Sequence, residues 1–172
     1  MNEIKVWDIG VRLFHWSLVI GFTLNAMILR GDSRWHEWVG YAILGLLAFR
    51  LVWGFVGTPQ ARFSAFPPSI SGAVEHLSEI LNGEQSRHLS HNPLGALMVY
   101  NLMVTLALTG VTGWMMTTDA FWGVGWVQEL HGLLANWAIL SVVLHVGGVV
   151  LESRRGKENL VRAMLTGYKR DG

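Results

Sequence analysis

The sequence predicts an all-α fold: an integral membrane four-helix bundle with a long cytoplasmic loop between helices two and three. Charged residues make up only 15% of the chain and hydrophobic residues 51%, whereas a soluble domain carries about 25% charged residues. Four apolar stretches cover residues 11–29, 35–57, 94–116 and 130–151. Each approaches the length of about 20 residues that crosses a bilayer, where the backbone must pair within a helix. We therefore predict a single membrane domain over residues 1–172.

The connections between the stretches differ greatly in length. The first stretch lacks an A-x-A cleavage site and is too long for the apolar region of a signal peptide, so we interpret it as a retained span. The long loop, residues 58–93, contains all four prolines and an amphipathic segment, Ala73–Asn82, which we expect to lie on the membrane surface. A similar segment, Lys157–Leu165, follows the last span, and a solvated tail helix is an equally good interpretation of it.

Lysine and arginine are distributed unequally around the four stretches. Arg30 and Arg34 lie on one side, and eleven basic residues lie on the side of the termini and the long loop: Lys5, Arg12, Arg50, Arg62, Arg87, Arg154, Arg155, Lys157, Arg162, Lys169 and Arg170. Basic residues accumulate on the cytoplasmic side of membrane proteins. We therefore expect both termini to be cytoplasmic. Four tryptophans mark the opposite, outer rim: Trp35, Trp38, Trp122 and Trp126.

Four of the seven histidines lie inside or at the ends of the predicted spans. His131 and His145 are 14 residues apart on one stretch, so two imidazoles on nearly the same side of one helix are separated by about 21 Å. In the predicted topology, His36 lies at the depth of His131 and His15 at the depth of His145. We term the first set the outer pair and the second the inner pair. Because ionisable groups inside a membrane are costly, matched depths indicate a functional site.

Two stacked haems, each held by one histidine pair, explain this placement. The chain has no cysteine, which excludes covalently attached c-type haem, iron–sulfur clusters and Cys-ligated zinc. Neutral imidazole is a good axial ligand for haem iron, and two of them leave no open position, so we predict no catalytic residue. Helix three carries no histidine and is expected to serve in packing. Four glycines leave room for haem or for close helix packing: Gly40, Gly54, Gly110 and Gly113.

Three arginines are candidates for pairing with haem propionates. Arg12 lies one turn before His15, and Arg50 lies 14 residues after His36, at the depth of the inner pair. Arg34 is the outer counterpart. For Arg12 and Arg50 the alternative is that they reach lipid phosphates, as arginines at helix ends often do.

Several segments together resemble a known family and cover essentially the whole chain: VWDIGVRLFHWSLV, HEWVGYAILGLLAFRLVWGFVGTPQARF, RHLSHNPLGALMVYNLM and ALTGVTGW. They resemble the prokaryotic cytochrome b561 family, which includes the cytochrome b subunits of nickel–iron hydrogenases. The resemblance implies two non-covalent b haems bound by histidines on helices one, two and four, which correspond to His15, His36, His131 and His145. It also implies a bacterial inner-membrane protein that exchanges electrons between a quinone (ubiquinone or menaquinone) and a redox partner.

Three further histidines, His76, His88 and His91, fall in the long loop. We expect His76 to be a solvated residue on the surface helix. His88 and His91 could carry protons to a quinone, or could serve in hydrogen bonding around Asn92 and Pro93. The quinone site itself is open between the two rims. The inner rim offers Arg62, His88 and His91, and the outer rim offers Trp35, Asp119 and Trp126.

Two functions are consistent with these features. The first is electron transfer between quinone and a redox partner protein, such as a periplasmic c-type cytochrome or an oxidoreductase. The second is superoxide:ubiquinone oxidoreduction, the activity of one branch of the family, which would require cations to attract the anion. The outer surface has two basic and four acidic residues, which favours a basic carrier: Asp32, Glu37, Asp119 and Glu129 are the acids. No basic patch with stacking aromatics indicates nucleic-acid binding, and a haem-free anchor or a transporter fits the histidines poorly.

Overall fold

The computed structural model describes residues 3–84 and 91–170. Its elements in chain order are β1 (Glu3–Lys5), α1 (Ile9–Thr23), α2 (Arg34–Val56), α3 (Ile70–Asn82), α4 (Pro93–Met115), α5 (Gly125–Arg155), α6 (Leu160–Thr166) and β2 (Tyr168–Arg170). A π-helical turn, Leu24–Ile28, continues α1, and two 3₁₀ turns, Pro59–Ala61 and Phe63–Ala65, follow α2. Two residues of the sequence analysis, Arg87 and His88, lie outside the described residues.

Among the described residues, four helices are long and apolar enough to cross a membrane. They are α1 with its π-helical turn, α2, α4 and α5, and the prediction of an all-α membrane protein with four spans is confirmed. α5 was predicted too short. It has 31 residues, which make a helix about 46 Å long, so it extends beyond a hydrocarbon core of about 30 Å. His131 therefore lies in the second turn of α5, and not at its start.

Contacts divide the chain into two units. The first, here the terminal unit, consists of Met1–Leu13, Val52–Tyr100 and Val143–Gly172. The second, here the helical unit, consists of Phe14–Leu51 and Asn101–Val142. Each of the four long helices contributes a segment to both units.

The helical unit has an apolar core to which all four long helices contribute: Phe14, Ile43, Leu47, Leu106 and Ala138. A polar contact between α4 and α5 lies in the same unit. Asn101 Nδ2 donates to Ser141 Oγ at 2.8 Å, and Trp137 Nε1 donates to Asn101 Oδ1 at 3.0 Å. These bonds satisfy side chains that water does not reach inside a bilayer.

Two of the four glycines singled out above serve close packing. In the helical unit, a Cβ on Gly110 would collide with the side chain of Leu44, and in the terminal unit a Cβ on Gly54 would collide with the ring of Phe63. Close approach of apolar side chains is the usual use of small residues in membrane helices. Gly113 meets a histidine ring instead, as described below.

The terminal unit joins the two ends of the chain. β1 and β2 pair antiparallel, with Ile4 opposite Lys169, so both termini lie on the same side of the molecule. A small core of Val6, Trp7, Val11 and Ala61 packs beside this pair. The pairing links residues more than 160 positions apart, so no local pattern predicts it.

Asp8, next to this core, begins α1 and connects it to α2. Its Oδ1 accepts from the Val11 amide at 2.9 Å, its Oδ2 accepts from the Thr58 hydroxyl at 2.6 Å, and both oxygens lie 3.2 Å from Trp53 Nε1. Burial raises the pKa of Asp8, but the hydrogen bonds from Thr58, Val11, Trp53 and Gly10 lower it more, so the net pKa lies below its usual value. A carboxylate at this position is a good helix N-cap.

α3 is the amphipathic helix expected in the long loop, but its two faces differ from the expectation. Ser69 caps it by accepting from the Gly72 amide at 3.0 Å, and Gly83 ends it with φ of 74°. Its apolar residues divide between two sides: Ala73 is buried, whereas four others are exposed, namely Ile70, Val74, Leu77 and Leu81. The exposed four recur at spacings of three and four and form one stripe.

The expectation that His76 is solvated was wrong. His76 is only 4% exposed, its Nδ1 lies 3.0 Å from Glu79 Oε2, and its Nε2 lies 3.6 Å from Glu152 Oε1 on α5. The nearby Arg155 donates to the carbonyl oxygens of Ile80 and Glu84. α3 thus packs on the end of α5 through its polar side, a contact that the periodicity of α3 alone does not reveal.

Candidate functional site

The outer pair comes together in the helical unit. The ring centroids of His36 on α2 and His131 on α5 lie 6.3 Å apart, with an angle of 72° between the ring planes. Both histidines are half-buried. Two helices that are distant in sequence therefore bring two imidazoles together, edge to face, inside the membrane part of the chain.

The start of α2 fixes the position of His36. The Ser33 hydroxyl and carbonyl accept from the His36 amide at 3.2 and 3.0 Å, so Ser33 caps the helix through this residue. Asn25, in the π-helical turn after α1, donates to the His36 carbonyl at 3.1 Å. The ring is less fully bonded: His36 Nδ1 is buried and has no hydrogen-bond partner among the described residues.

α4 fixes the ring of His131. His131 Nδ1 lies 3.0 Å from the Thr109 carbonyl oxygen and 3.2 Å from the Thr112 hydroxyl. The Thr112 hydroxyl itself lies 2.9 Å from the Leu108 carbonyl and 3.0 Å from the Thr109 carbonyl. A Cβ on Gly113 would lie 3.2 Å from His131 Cε1, so the missing side chain lets the ring lie against α4.

This role of α4 was not predicted from the sequence, from which the helix was expected to serve in packing only. The polar contacts come from one backbone carbonyl and one hydroxyl, and a carbonyl has no signature in the sequence. A weak signal was present nonetheless. Thr105, Thr109 and Thr112 recur at spacings of four and three in an otherwise apolar span, as one polar stripe would.

The members of the inner pair lie on α1 and α5. His15 is half-buried and packs edge-to-face against Trp16, with ring centroids 5.2 Å apart. His145 is half-buried on the same continuous helix as His131, 14 residues further on.

The three candidate arginines have different surroundings. Arg50 is only 4% exposed, which is unusual for a guanidinium in a membrane helix. Arg12 donates to the Leu165 carbonyl near the end of α6. Arg34 is exposed at the start of α2.

The quinone candidates occupy diverse positions. At the predicted inner rim, Arg62 Nε donates to the Gly57 carbonyl at 2.8 Å, and His91 packs between Trp7 and Phe66 at centroid distances of 4.9 and 4.5 Å. The third inner candidate, His88, lies outside the described residues. All three outer candidates are exposed: Trp35, Asp119 and Trp126. The Asn92 side chain itself provides the expected cap, at the start of α4: its Oδ1 accepts from the Gly95 amide at 2.7 Å.

Ion pairing and acidic side chains are found at the predicted outer surface. Arg30 and Asp32 form an ion pair at 3.1 Å with both side chains largely exposed. Asp119 and Glu129 are exposed as well. In residues 3–84 and 91–170, no group of three or more histidine or carboxylate side chains could hold a metal ion.

Comparison with known proteins identifies the family. A family model described as prokaryotic cytochrome b561 matches residues 6–167. A probable Ni/Fe-hydrogenase B-type cytochrome subunit of Rhizobium leguminosarum bv. viciae is 27% identical over 214 aligned positions, covering 98% of this chain and 89% of the relative. The corresponding protein of Cupriavidus necator is 26% identical over 210 positions, covering 95% and 86%. No solved structure matches. With its four membrane-length helices, the chain is a b-type membrane cytochrome, and it belongs to the prokaryotic cytochrome b561 family.

Proposed function

We propose that this protein is a di-haem cytochrome that transfers electrons across the cytoplasmic membrane between a quinone and a redox partner protein at the outer surface. The observation that carries the proposal is the separation of the two outer imidazoles. Haem b supplies a one-electron carrier when it is bound, and the side chains of this chain hold it, orient it and exclude water.

The separation agrees with the distance that one iron imposes on two axial histidines. A metal–imidazole bond is about 2.0 Å long, and the centroid of a five-membered ring lies about 1.15 Å from each ring atom, so two such rings on one iron have centroids about 6.3 Å apart. The observed separation of His36 and His131 is 6.3 Å. The separation of the ring centroids therefore supports a haem that both histidines would hold.

Hydrogen bonding also fits iron ligation by His131. The Thr109 carbonyl can only accept, so His131 Nδ1 carries the ring proton, and the lone pair is left on Nε2. Ligating histidines commonly show this arrangement, since a bond at the second ring nitrogen fixes the tautomer and the ring orientation. At His36, Nδ1 is buried without a partner among the described residues, so this ring lacks the bond at the second nitrogen that His131 has.

For the second haem we propose His15 and His145 as ligands, because they lie at the same depth in the predicted membrane topology. α5 is one continuous helix, which keeps His131 and His145 about 21 Å apart along its axis. Arg50 is a candidate for pairing with a propionate of this haem, because it lies 14 residues after His36, at the depth predicted for the inner pair, and is only 4% exposed. Arg12 is a weaker candidate for a propionate of the same haem, and Arg34 for a propionate of the outer haem.

The distribution of charged residues supports a membrane topology and a class of redox partner. The pairing of β1 with β2 puts both termini on the same side, and the excess of basic residues supports the cytoplasmic side. Hydrogenase B-type cytochromes among the relatives support an oxidoreductase as the partner. The exposed carboxylates Asp119 and Glu129 favour a partner with a basic docking surface, such as a c-type cytochrome.

Superoxide oxidation is supported less well as a second function. Attraction of an anion requires a positive potential around the outer haem. Arg30 is neutralised by Asp32 at 3.1 Å, and the exposed Asp119 and Glu129 add negative charge to the same surface.

A haem count tests the proposal. The purified protein should give two b haems per chain in a pyridine haemochrome assay, and His36→Ala and His15→Ala should each lose one. His91→Phe, which keeps an aromatic ring in the contacts with Trp7 and Phe66, is the control and should retain both. One haem or none in the unmodified protein would overturn the di-haem proposal. Loss of haem from the control alone would show that the ligands are assigned wrongly.

A further inference from the structure

We propose that α4 sets the ligand strength of His131, with Thr112 as the positioning residue that lowers the reduction potential of the outer haem. This inference rests on the proposed function, in which His131 binds that haem. It gives α4 a role in tuning the site that its lack of ligating histidines conceals.

The Thr112 hydroxyl has a single proton to donate. This hydroxyl lies 2.9 Å from the Leu108 carbonyl and 3.0 Å from the Thr109 carbonyl, and both carbonyls are acceptors, so the proton points to the α4 backbone. A lone pair of Thr112 Oγ1 then faces His131 Nδ1 at 3.2 Å. Together with the Thr109 carbonyl at 3.0 Å, His131 Nδ1–H has two acceptors.

Two acceptors on one N–H increase the negative charge on the imidazole. A ligand of higher basicity stabilises the ferric state more than the ferrous state, which lowers the reduction potential. The opposite ligand differs: His36 Nδ1 is buried with no hydrogen-bond partner among the described residues. The two axial ligands of the outer haem are therefore unequal, and His131 is the stronger donor.

The close approach depends on Gly113. A Cβ there would lie 3.2 Å from His131 Cε1 and 3.5 Å from His131 Nδ1. A Cβ at this distance would require the His131 ring to shift by a few tenths of an ångström, so the glycine and the hydroxyl act on the same ring from adjacent positions of α4.

Thr112→Val tests the inference because it removes the hydroxyl and keeps the shape. Thr109→Val is the matched control: it removes a hydroxyl that donates to the Thr105 carbonyl at 2.8 Å, but it leaves the Thr109 carbonyl that accepts from His131. Thr112→Ser restores the hydroxyl. In a spectroscopic redox titration of the detergent-purified protein, we expect Thr112→Val to raise the reduction equilibrium constant of one haem about threefold, or about 28 mV at about 59 mV per tenfold change.

The control and Thr112→Ser should match the unmodified protein, and the second haem should not move. If Thr112→Val keeps two haems with unchanged potentials, or if Thr109→Val gives the same shift, the inference is wrong while the proposed function stands. If the unmodified protein binds no haem at the outer pair, the proposed function itself is wrong. If Thr112→Val loses the haem outright, Thr112→Ser decides the question. This variant keeps the hydroxyl, so a haem potential that differs from that of the unmodified protein contradicts the tuning role.

Discussion

Asp8 offers a stability prediction that can be worked out from its contacts. The carboxylate is only 8% exposed and accepts from the Val11 amide, the Trp53 indole and the Thr58 hydroxyl. Loss of a helix cap costs about 1 kcal/mol, and each further hydrogen bond to a charged group contributes about 1.5–3 kcal/mol, with partial overlap. We expect Asp8→Ala to lower the free energy of unfolding by about 3 kcal/mol, and Asp8→Asn, which keeps one acceptor oxygen, by about half as much.

The pH dependence has a definite sign. The hydrogen bonds, which outweigh the effect of burial, hold the pKa of folded Asp8 below its usual value. A depressed folded pKa means that the carboxylate stabilises the protein fully above the unfolded pKa of about 4, and that this contribution is lost as the pH falls through the folded pKa. The unmodified protein should therefore lose stability below about pH 4 more steeply than Asp8→Asn does.

The assay is unfolding by SDS in mixed micelles, followed by circular dichroism. Asp119→Ala is the control, because that acid is exposed, and it should change the free energy of unfolding by less than about 0.5 kcal/mol. If Asp8→Ala proves as stable as the control, or if Asp8→Asn shows the same acid sensitivity as the unmodified protein, the network does not act as described.

Three further predictions concern single contacts. Gly113→Ala should displace the His131 ring, because a Cβ meets it at 3.2 Å, and should broaden the spectrum of one haem; Gly132→Ala, with no described atom within 4 Å, should not. Asn101→Ala should destabilise the protein by about 1–2 kcal/mol, measured by the same SDS assay, because it breaks two interhelical hydrogen bonds of the size found in membrane proteins. Arg155→Gln should speed hydrogen exchange of the α3 amides without affecting the spans, since Arg155 donates to the Ile80 and Glu84 carbonyls; unchanged exchange would show that α3 is held elsewhere.

The spans could be predicted from the sequence because a membrane imposes one length and one composition. α2 and α4 begin and end within one residue of their predicted bounds. α5 could not be bounded in this way, because its ends carry polar residues such as Glu129 and Glu152 that a helix tolerates once it leaves the hydrocarbon. The β1–β2 pair joins opposite ends of the chain and has no periodicity long enough to detect.

The candidate site could also be predicted only in part. Histidines in an apolar stretch are visible in the sequence because they are costly there, and their depths in the predicted spans placed His36 beside His131. One atom that orients the His131 ring is a backbone atom, the Thr109 carbonyl oxygen on α4, and the backbone of His36 is held through its own carbonyl, which accepts from Asn25. A carbonyl is present at every residue, so only the fold reveals which one meets a side chain.

The polar atoms of the helical unit support a haem site at the outer pair. In a bilayer, a polar group without a partner costs several kcal/mol, so membrane proteins pair such groups internally. Asn101 pairs with Ser141 and Trp137, and His131 pairs with α4. Within the described part of the helical unit, His36 Nδ1 and Asn25 Oδ1 are buried without a hydrogen bond, and the ring centroids of His36 and His131 lie 6.3 Å apart. The two imidazoles that would hold the proposed haem therefore differ in hydrogen bonding: the ring of His131 is bonded to α4, and Nδ1 of His36 has no partner among the described residues.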